Sequence, residues 1–486
     1  MQTSRHKSTT GLIGESPTVA LAASVALITA ATLCGMGKYH EAAAGAAGAL
    51  GLGCVIAFGV SVESILIAWF VTSPLASYFI RFPVDQSIIT FDRAVIALAS
   101  VLLVFHTKRV SAERLPASRF EAFWAAVTVI AILSALVAST NYPYATRVAV
   151  DSFLLPLILF HIARYHLDLR GREGQIIVGA MFLAILFFVT GAYEFLTGNN
   201  LFEYKGSVLV REGEVRVNGP FAADTAFANI SMLVALFILA APRALRISFD
   251  RAGRLFYALA FLLAVAAAII PLFRAVAIAL LVCGLVIILS TGRKTGRSPQ
   301  VILKRALPVL ALVVVFAIIA MLGQAINSER ISDPRNVFGR LATWEAAARI
   351  ALDNPLTGVG LANYTDYFRQ KYRWEDESVE TVMEARAADS PHSNLLWIAA
   401  ELGMATALLY VAANIFLFLI GWRALKRAQG GSERAAAMGF LSLLVAYWIT
   451  GITLASGYYS DLNLYLFFML GLLSNKTLTP ERMSLG

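Results

Sequence analysis

The sequence predicts an all-α membrane protein, a polytopic helix bundle of about 12–14 spans with a large helical loop on the extracytoplasmic side. Three observations carry this prediction. Of 486 residues, 58% are hydrophobic and 15% are charged, against about 45–50% and about 25% in soluble domains. Apolar segments of roughly 17–25 residues, the length that crosses a bilayer core, recur from end to end. A soluble chain of this length would divide into about two or three domains joined by polar linkers, and no such linkers interrupt the pattern.

The apolar segments are 17–36, 41–60, 62–80, 88–105, 121–139, 148–166, 174–197, 222–241, 254–271, 273–291, 302–322, 393–422, 433–452 and 459–474. Met1 to Thr10 is polar, with Arg5 and Lys7, and no small-residue cleavage site follows the first apolar run. That run is therefore expected to remain as a span. Segments 41–60 and 62–80 are divided only at Gly59 and Glu63, and 254–271 and 273–291 only by the turn Pro271 to Arg274.

Charge supports both divisions. With the N-terminus in the cytoplasm, the inner loops carry Lys108, Arg109, Arg114 and Arg119, then Arg164, Arg170 and Arg172. Arg243, Arg246, Arg251 and Arg254 follow, then Arg293, Lys294, Arg297, Lys304 and Arg305, and finally Arg423, Lys426, Arg427 and Arg434. The short outer loops hold one basic residue each: Lys38, Arg81 and Arg147. This asymmetry is the positive-inside rule. It predicts both termini in the cytoplasm and explains the net charge of +9 without an acidic partner. Merging one divided pair alone would invert every later loop.

The domain division read from this pattern is an N-terminal bundle over 1–322 with an outer loop at 198–221, a large extracytoplasmic loop over 323–392, and C-terminal helices with a cytoplasmic tail over 393–486. Loop 198–221 carries Lys205, Arg211, Glu212, Glu214 and Arg216. In the large loop, Leu341, Trp344, Ala348 and Leu352 recur at helical spacing between Arg340 and Asp353, which predicts an amphipathic helix against the membrane surface. The turn residues from Asp353 to Gly360 stop it. Glu375 to Glu377 reads as a solvated face, with a cation site as the alternative. Cys34, Cys54 and Cys283 lie singly in apolar segments, so neither zinc nor a disulfide is expected. Gly358 and Gly360 follow no strand and precede no Lys-Ser/Thr pair, which argues against a nucleotide site.

The candidate chemistry lies at the outer ends. His392 stands where the large loop meets an apolar helix, with a side chain that takes a proton near neutral pH. Asp389, three residues earlier, is placed to hold one ring nitrogen; the other reading of His392 is a helix cap. Arg274 is an arginine at a membrane boundary, expensive there unless it serves a site or snorkels to the interface. Together with Arg216 it supplies planar donors suited to phosphate oxygens. Asp92, Arg93, Asp151 and Asp224 are outer ionisable residues read as structural pairs.

These segments resemble the bacterial O-antigen ligase and polymerase family, whose members share a Wzy-type domain. The family pattern of His, then Asn/Ser/Gln, nine residues, Gly, two residues and Gly/Thr/Tyr is matched by His392, Ser393, Gly403 and Thr406. Arg340 and Trp344, followed by Pro355, Gly358 and Gly360, are similar to the family's loop motif. Arg216, Gly219 and Phe221 are similar to its Arg-x-x-Gly-x-Phe segment. Arg274 sits where members have Ser-Arg-Gly, here with Phe273 and Ala275 as departures. Members commonly have about twelve spans, fewer than counted here.

The resemblance implies a C-type glycosyltransferase-like fold and glycan transfer from an undecaprenyl-diphosphate-linked donor to an acceptor sugar hydroxyl, with inversion and with neither metal nor cofactor. His392 would be the catalytic base, and Arg216 and Arg274 would hold the diphosphate. Asp389, Trp344, Arg340 and Tyr364 would support them. The implied partners are the lipid-linked donor, an acceptor glycan or glycolipid, the bilayer and other polysaccharide assembly proteins, with no nucleic acid. The implied location is the bacterial inner membrane with the site facing the periplasm. Polymerase and ligase are favoured over a protein-glycosylating branch. A lipid-linked oligosaccharide flippase or other transporter is the competing reading; it would carry ionisable residues near the midplane instead of at the outer face. A non-catalytic export scaffold would have no reason to match the histidine pattern.

Overall fold

The computed structural model describes residues 61–82, 87, 89–107, 118–202, 210–211, 214–292, 335–371 and 391–475. The predicted segments 17–36, 41–60 and 302–322, Cys34, Cys54, Glu375 to Glu377, Asp389 and the division at 322/323 lie outside these residues. Every predicted apolar segment that falls on described residues is helical.

In chain order, α1 (Val62–Phe79) is capped by Ser61, whose hydroxyl accepts from the Ser64 N–H. A short antiparallel pair, β1 (Arg81–Phe82) and β2 (Ile89–Thr90), turns the chain into α2 (Phe91–Thr107). A capping box between Ser118 and Glu121 starts α3 (Arg119–Val137). α4 (Tyr142–Ala149) continues through a π-turn at Val150–Leu154 into α5 (Leu155–Tyr165). Pro156 has no N–H for the Ser152 carbonyl, which accounts for the widened turn just before it. Then come α6 (Glu173–Thr197), the pair β3 (Val210–Arg211) and β4 (Glu214–Val215), α7 (Asp224–Ala244), α8 (Arg251–Ile269) and α9 (Arg274–Gly292). The later elements are α10 (Arg335–Asp353), α11 (Tyr364–Lys371), α12 (Asn394–Leu402), α13 (Met404–Arg427), α14 (Gly431–Thr453), a 3-10 turn at Ser456–Tyr458 and α15 (Ser460–Leu473).

Among the described residues, eight helical segments are long and apolar enough to cross a membrane, and α9 and α15 are shorter apolar helices. The protein is a multi-pass, all-α membrane protein. α7 is its centre: 94% of its spanning window is buried, against α6, α8, α9, α14 and α15. A helix apolar on every side and enclosed by others is the core of such a bundle. Leu133, Leu136, Val137 and Val178 on peripheral helices stay exposed, as lipid-facing side chains do. With no hydrophobic drive between helices in lipid, close approach of small residues holds the bundle. A Cβ at Gly439 of α14 would lie 2.6 Å from the Ala240 Cβ of α7. Gly439→Val is therefore expected to cost about 1–3 kcal/mol by overpacking, read as a lower unfolding midpoint in detergent.

Buried polar groups are paired across helices. Asp92 accepts from Trp69 Nε1 at 2.7 Å, Ser73 Oγ at 2.6 Å and Ser77 Oγ at 2.8 Å. Arg93 holds Asp151 of the π-turn through both Nε and Nη2. These are the pairings expected of charges that cannot be left alone in the bundle.

One expectation needs correction and one is refined. Segment 393–422 is not one span: Gly403, at φ 87° and ψ 162°, breaks it into α12 and α13. Only glycine tolerates that conformation, and only α13 is long enough to cross. The amphipathic helix exists as α10, but its protein-facing side is Thr343, Ala346, Ala347, Ile350 and Ala351, while Leu341 and Leu352 are exposed. The small residues let α10 approach closely; they pack with Tyr364, Phe368 and Ala400 in a satellite core. Leu341 and Leu352 are left on another side.

Candidate active site

α7, α8 and α9 are consecutive and joined by short connections, so the start of α7, the end of α8 and the start of α9 share one end of the bundle. α14 runs antiparallel to α7. Near its start, Ser432 Oγ accepts from Arg246 Nε at 3.1 Å, just past the end of α7. The end of α14 therefore lies where α7 begins. There Asn394 Oδ1 accepts from the Gly457 N–H at 2.7 Å. This packing brings Arg216, Arg274 and His392 to the same end.

The Arg216 segment is clamped from below. Both Asn218 and Gly219 donate backbone N–H groups to Glu194 Oε2, each at 2.8 Å, and Glu194 is fully buried near the end of α6. Gly219 stands at φ 54°, with its missing Cβ filled by the Phe227 ring. Arg216 Nη1 donates to Asp224 Oδ2 at 3.0 Å. Arg216 Nε is buried and has no hydrogen-bond partner among the described residues. Arg274 is the first residue of α9 and is exposed, following Leu272 at φ 64°. The first-turn N–H groups of a helix add their own positive potential to its charge.

His392 is half-exposed and sits at φ 48°, a left-handed conformation that is uncommon for residues other than glycine and that clusters at functional sites. It leads into α12, which is seated on the turn from Asn354 to Tyr364. The Val359 N–H donates to the Ala400 carbonyl and the Gly360 N–H to that of Glu401, both at 3.0 Å. The Met404 N–H donates to the Pro355 carbonyl at 2.8 Å. A Cβ on Gly358 would collide with the Glu401 backbone, and one on Gly403 with the Leu356 carbonyl. The two glycines thus exist for close approach of turn and helix, not for phosphate. Asn363 ties the turn to the end of α3: its Oδ1 accepts from Thr140 N and Oγ1 at 3.0 and 2.9 Å, and its Nδ2 donates to the Ala138 carbonyl at 2.9 Å.

Glu401 is the centre of this seat. Its carboxylate accepts from the Ala362 N–H at 2.8 Å, the Tyr364 N–H at 3.2 Å and Trp397 Nε1 at 2.7 Å. Burial pushes its pKa up to about 7, against the lowering pull of those donors. Trp397 in turn stacks on Phe153 at 5.8 Å and lies 4.6 Å from Tyr458.

Of the supporting residues named from sequence, Tyr364 is buried in the satellite core, its hydroxyl donating to the Thr343 carbonyl at 3.4 Å. Trp344 is half-buried on α10, with Nε1 buried and no hydrogen-bond partner among the described residues. Arg340 belongs to α10, but its side chain lies outside the described residues. Glu194 and Glu401 were not selected from the sequence. The signal was present in both, since a glutamate inside an apolar run is expensive unless it is used.

The sequence model described as O-antigen ligase matches residues 259–411. Over that stretch the chain is similar to the O-antigen ligase family. The matched stretch runs from within α8 into α13 and contains Arg274, the seat of α12 and His392; Arg216 lies before it. No curated protein matches the chain. This match supports glycan transfer of the ligase or polymerase type, with lipid-linked glycans as the implied class of substrate.

Proposed function

We propose that the protein transfers a glycan from an undecaprenyl-diphosphate-linked donor to an acceptor sugar hydroxyl at the periplasmic face of the bacterial inner membrane. Both termini then lie in the cytoplasm. The protein acts as an O-antigen or exopolysaccharide polymerase or as an O-antigen ligase. The observation that carries this reading is the arrival of Arg216, Arg274 and His392, from three separate parts of the chain, at one end of the bundle.

In this reading His392 takes the proton of the acceptor hydroxyl. The oxygen forms a bond to the anomeric carbon on the side opposite the diphosphate. The bond from that carbon to the phosphate oxygen breaks, and the electron pair leaves with the diphosphate. The configuration at carbon is inverted. Arg216 and Arg274 neutralise the charge that grows on the leaving group, the largest single contribution in reactions of this kind. The carboxylate clamps hold both motif segments in place before substrate arrives, so little reorganisation is needed at the moment of transfer.

The test is an in vitro reaction of purified protein with undecaprenyl-diphosphate glycan and an acceptor, without nucleotide. The expected result is a product with the opposite anomeric configuration to the donor, formed at the same rate in the presence of a strong chelator. A rate abolished by chelator and restored by a divalent cation would overturn the metal-independent mechanism. Movement of the donor across liposomes without any transfer would replace the reading with a flippase.

A further inference from the structure

The same end of the bundle holds a further arginine, Arg147. Arg147 lies on α4, half-buried, with its guanidinium carbon 5.4 Å from the centre of the Tyr144 ring. Its Nε is buried without a hydrogen-bond partner, as is the neighbouring Thr146 Oγ1. Arg93 and Arg216 each pair with a carboxylate; Arg147 has no ion pair or hydrogen bond among the described residues. A desolvated guanidinium donor left unmade costs more than most polar groups. The arrangement is completed by an oxyanion, whose geometry a guanidinium matches in bidentate fashion.

The surroundings indicate what carries the oxyanion. Tyr142 and Tyr144 are 62% and 39% exposed, and the Tyr144 ring, with an apolar face and a polar tip, lies beside the cation. Such a face suits the C–H side of a sugar ring. Tyr144 lies beside Tyr458 and within electrostatic reach of Glu401, and Tyr458 packs on Trp397 of α12. α12 packs against α14 on one side, which leads to α7 and α9 with Arg216 and Arg274, and against α3 on another, which leads to α4. The helix that His392 precedes therefore lies between the two arginine-bearing groups.

We propose that Arg147 and Tyr144 form a subsite for a sugar bearing an anionic group, a phosphate or a carboxylate, and that this sugar belongs to the acceptor. Its assignment to the acceptor rests on the transferase reading; the anion site does not.

The experiment measures binding alone, by saturation-transfer NMR on the purified full chain in neutral detergent, with glucose 1-phosphate, glucuronic acid and glucose as probes. Both anionic sugars are expected to bind at least about 10-fold more tightly than glucose. Arg147→Gln is expected to weaken them by about 10–100-fold, towards the glucose value. Arg147→Lys keeps the charge but loses the fork and falls between. Tyr144→Ala weakens all three sugars, which keeps the test alive if Arg147→Gln fails to fold. A preference for only one of the two anions separates phosphate from carboxylate. Wild-type protein without an anion preference, or equal binding by Arg147→Gln, would overturn the subsite. So would loss of binding in Arg216→Gln with Arg147→Gln unaffected, which would put the anion at the donor site. Displacement of the sugars by an equal concentration of phosphatidylglycerol would make a lipid headgroup the occupant and also overturn it. Because no donor is present, these outcomes stand whether or not transfer is ever observed.

Discussion

His392→Ala is expected to lower glycan transfer by about 10²–10⁴-fold, the usual loss on removing a general base, while leaving the unfolding midpoint and the donor affinity close to those of wild type. The argument for a small structural effect is local. His392 precedes α12 at a left-handed φ, and that helix is held from its other end by Glu401, Gly403 and the turn beneath them. Truncation at the half-exposed histidine leaves those bonds intact, and alanine at φ 48° adds a strain of about 1 kcal/mol. His392→Asn, which tolerates the same backbone conformation but cannot take the proton, separates the two effects: it should be as inactive as alanine and more stable. Transfer retained in both variants within about threefold would remove His392 from the chemistry.

Glu401→Ala is expected to have the second largest effect, and by another route. It leaves the Ala362 and Tyr364 N–H groups and Trp397 Nε1 without their acceptor, each at about 1–3 kcal/mol. The sum is partly offset because a carboxylate no longer has to be buried. The unfolding midpoint should fall, and kcat should drop about 100-fold as the seat of α12 loosens, with donor KM little changed. Glu401→Gln keeps one acceptor oxygen and should recover part of both losses. The pH dependence provides a separate reading. The folded pKa of about 7 lies above the unfolded value near 4.5, so the native state binds the extra proton between them. Stability from this group is complete below about pH 4.5 and is lost as pH rises through about 7. Thermal unfolding in detergent should show that slope in wild type and lack it in Glu401→Gln. A parallel slope in both would assign it to another group.

Local sequence marked His392 and Arg274 as candidates, because a titratable or cationic residue beside an apolar run is a local observation, and the family resemblance added weight to Arg216. The two glutamates that position their segments escaped notice, because each acts on backbone far along the chain: Glu401 on Ala362 and Tyr364, Glu194 on Asn218 and Gly219. Helical spacing identified α10 by Leu341, Trp344, Ala348 and Leu352, the side read as lying on the membrane surface, and gave no sign of the side that packs on protein. Packing instead used Ala346 and Ala347, since close approach rewards small side chains that carry little hydropathic signal. Gly403 was visible as a motif position, yet the break it makes depends on the Leu356 carbonyl and Pro355 lying against it.

By itself, then, the amino-acid sequence determined the membrane class and the helical segments, and it named candidate chemistry-bearing residues. These follow from hydropathy over about 20 residues and from local charge, which the bilayer reads one segment at a time. Only the tertiary structure decided which helix ends meet, which glutamates clamp which turns, and that Arg147 stands beside Tyr144 without a carboxylate partner among the described residues. Those are relations between segments up to 395 residues apart, as between Phe70 and Tyr465, set by the close approach of small residues and the pairing of buried polar groups, and no local pattern contains them.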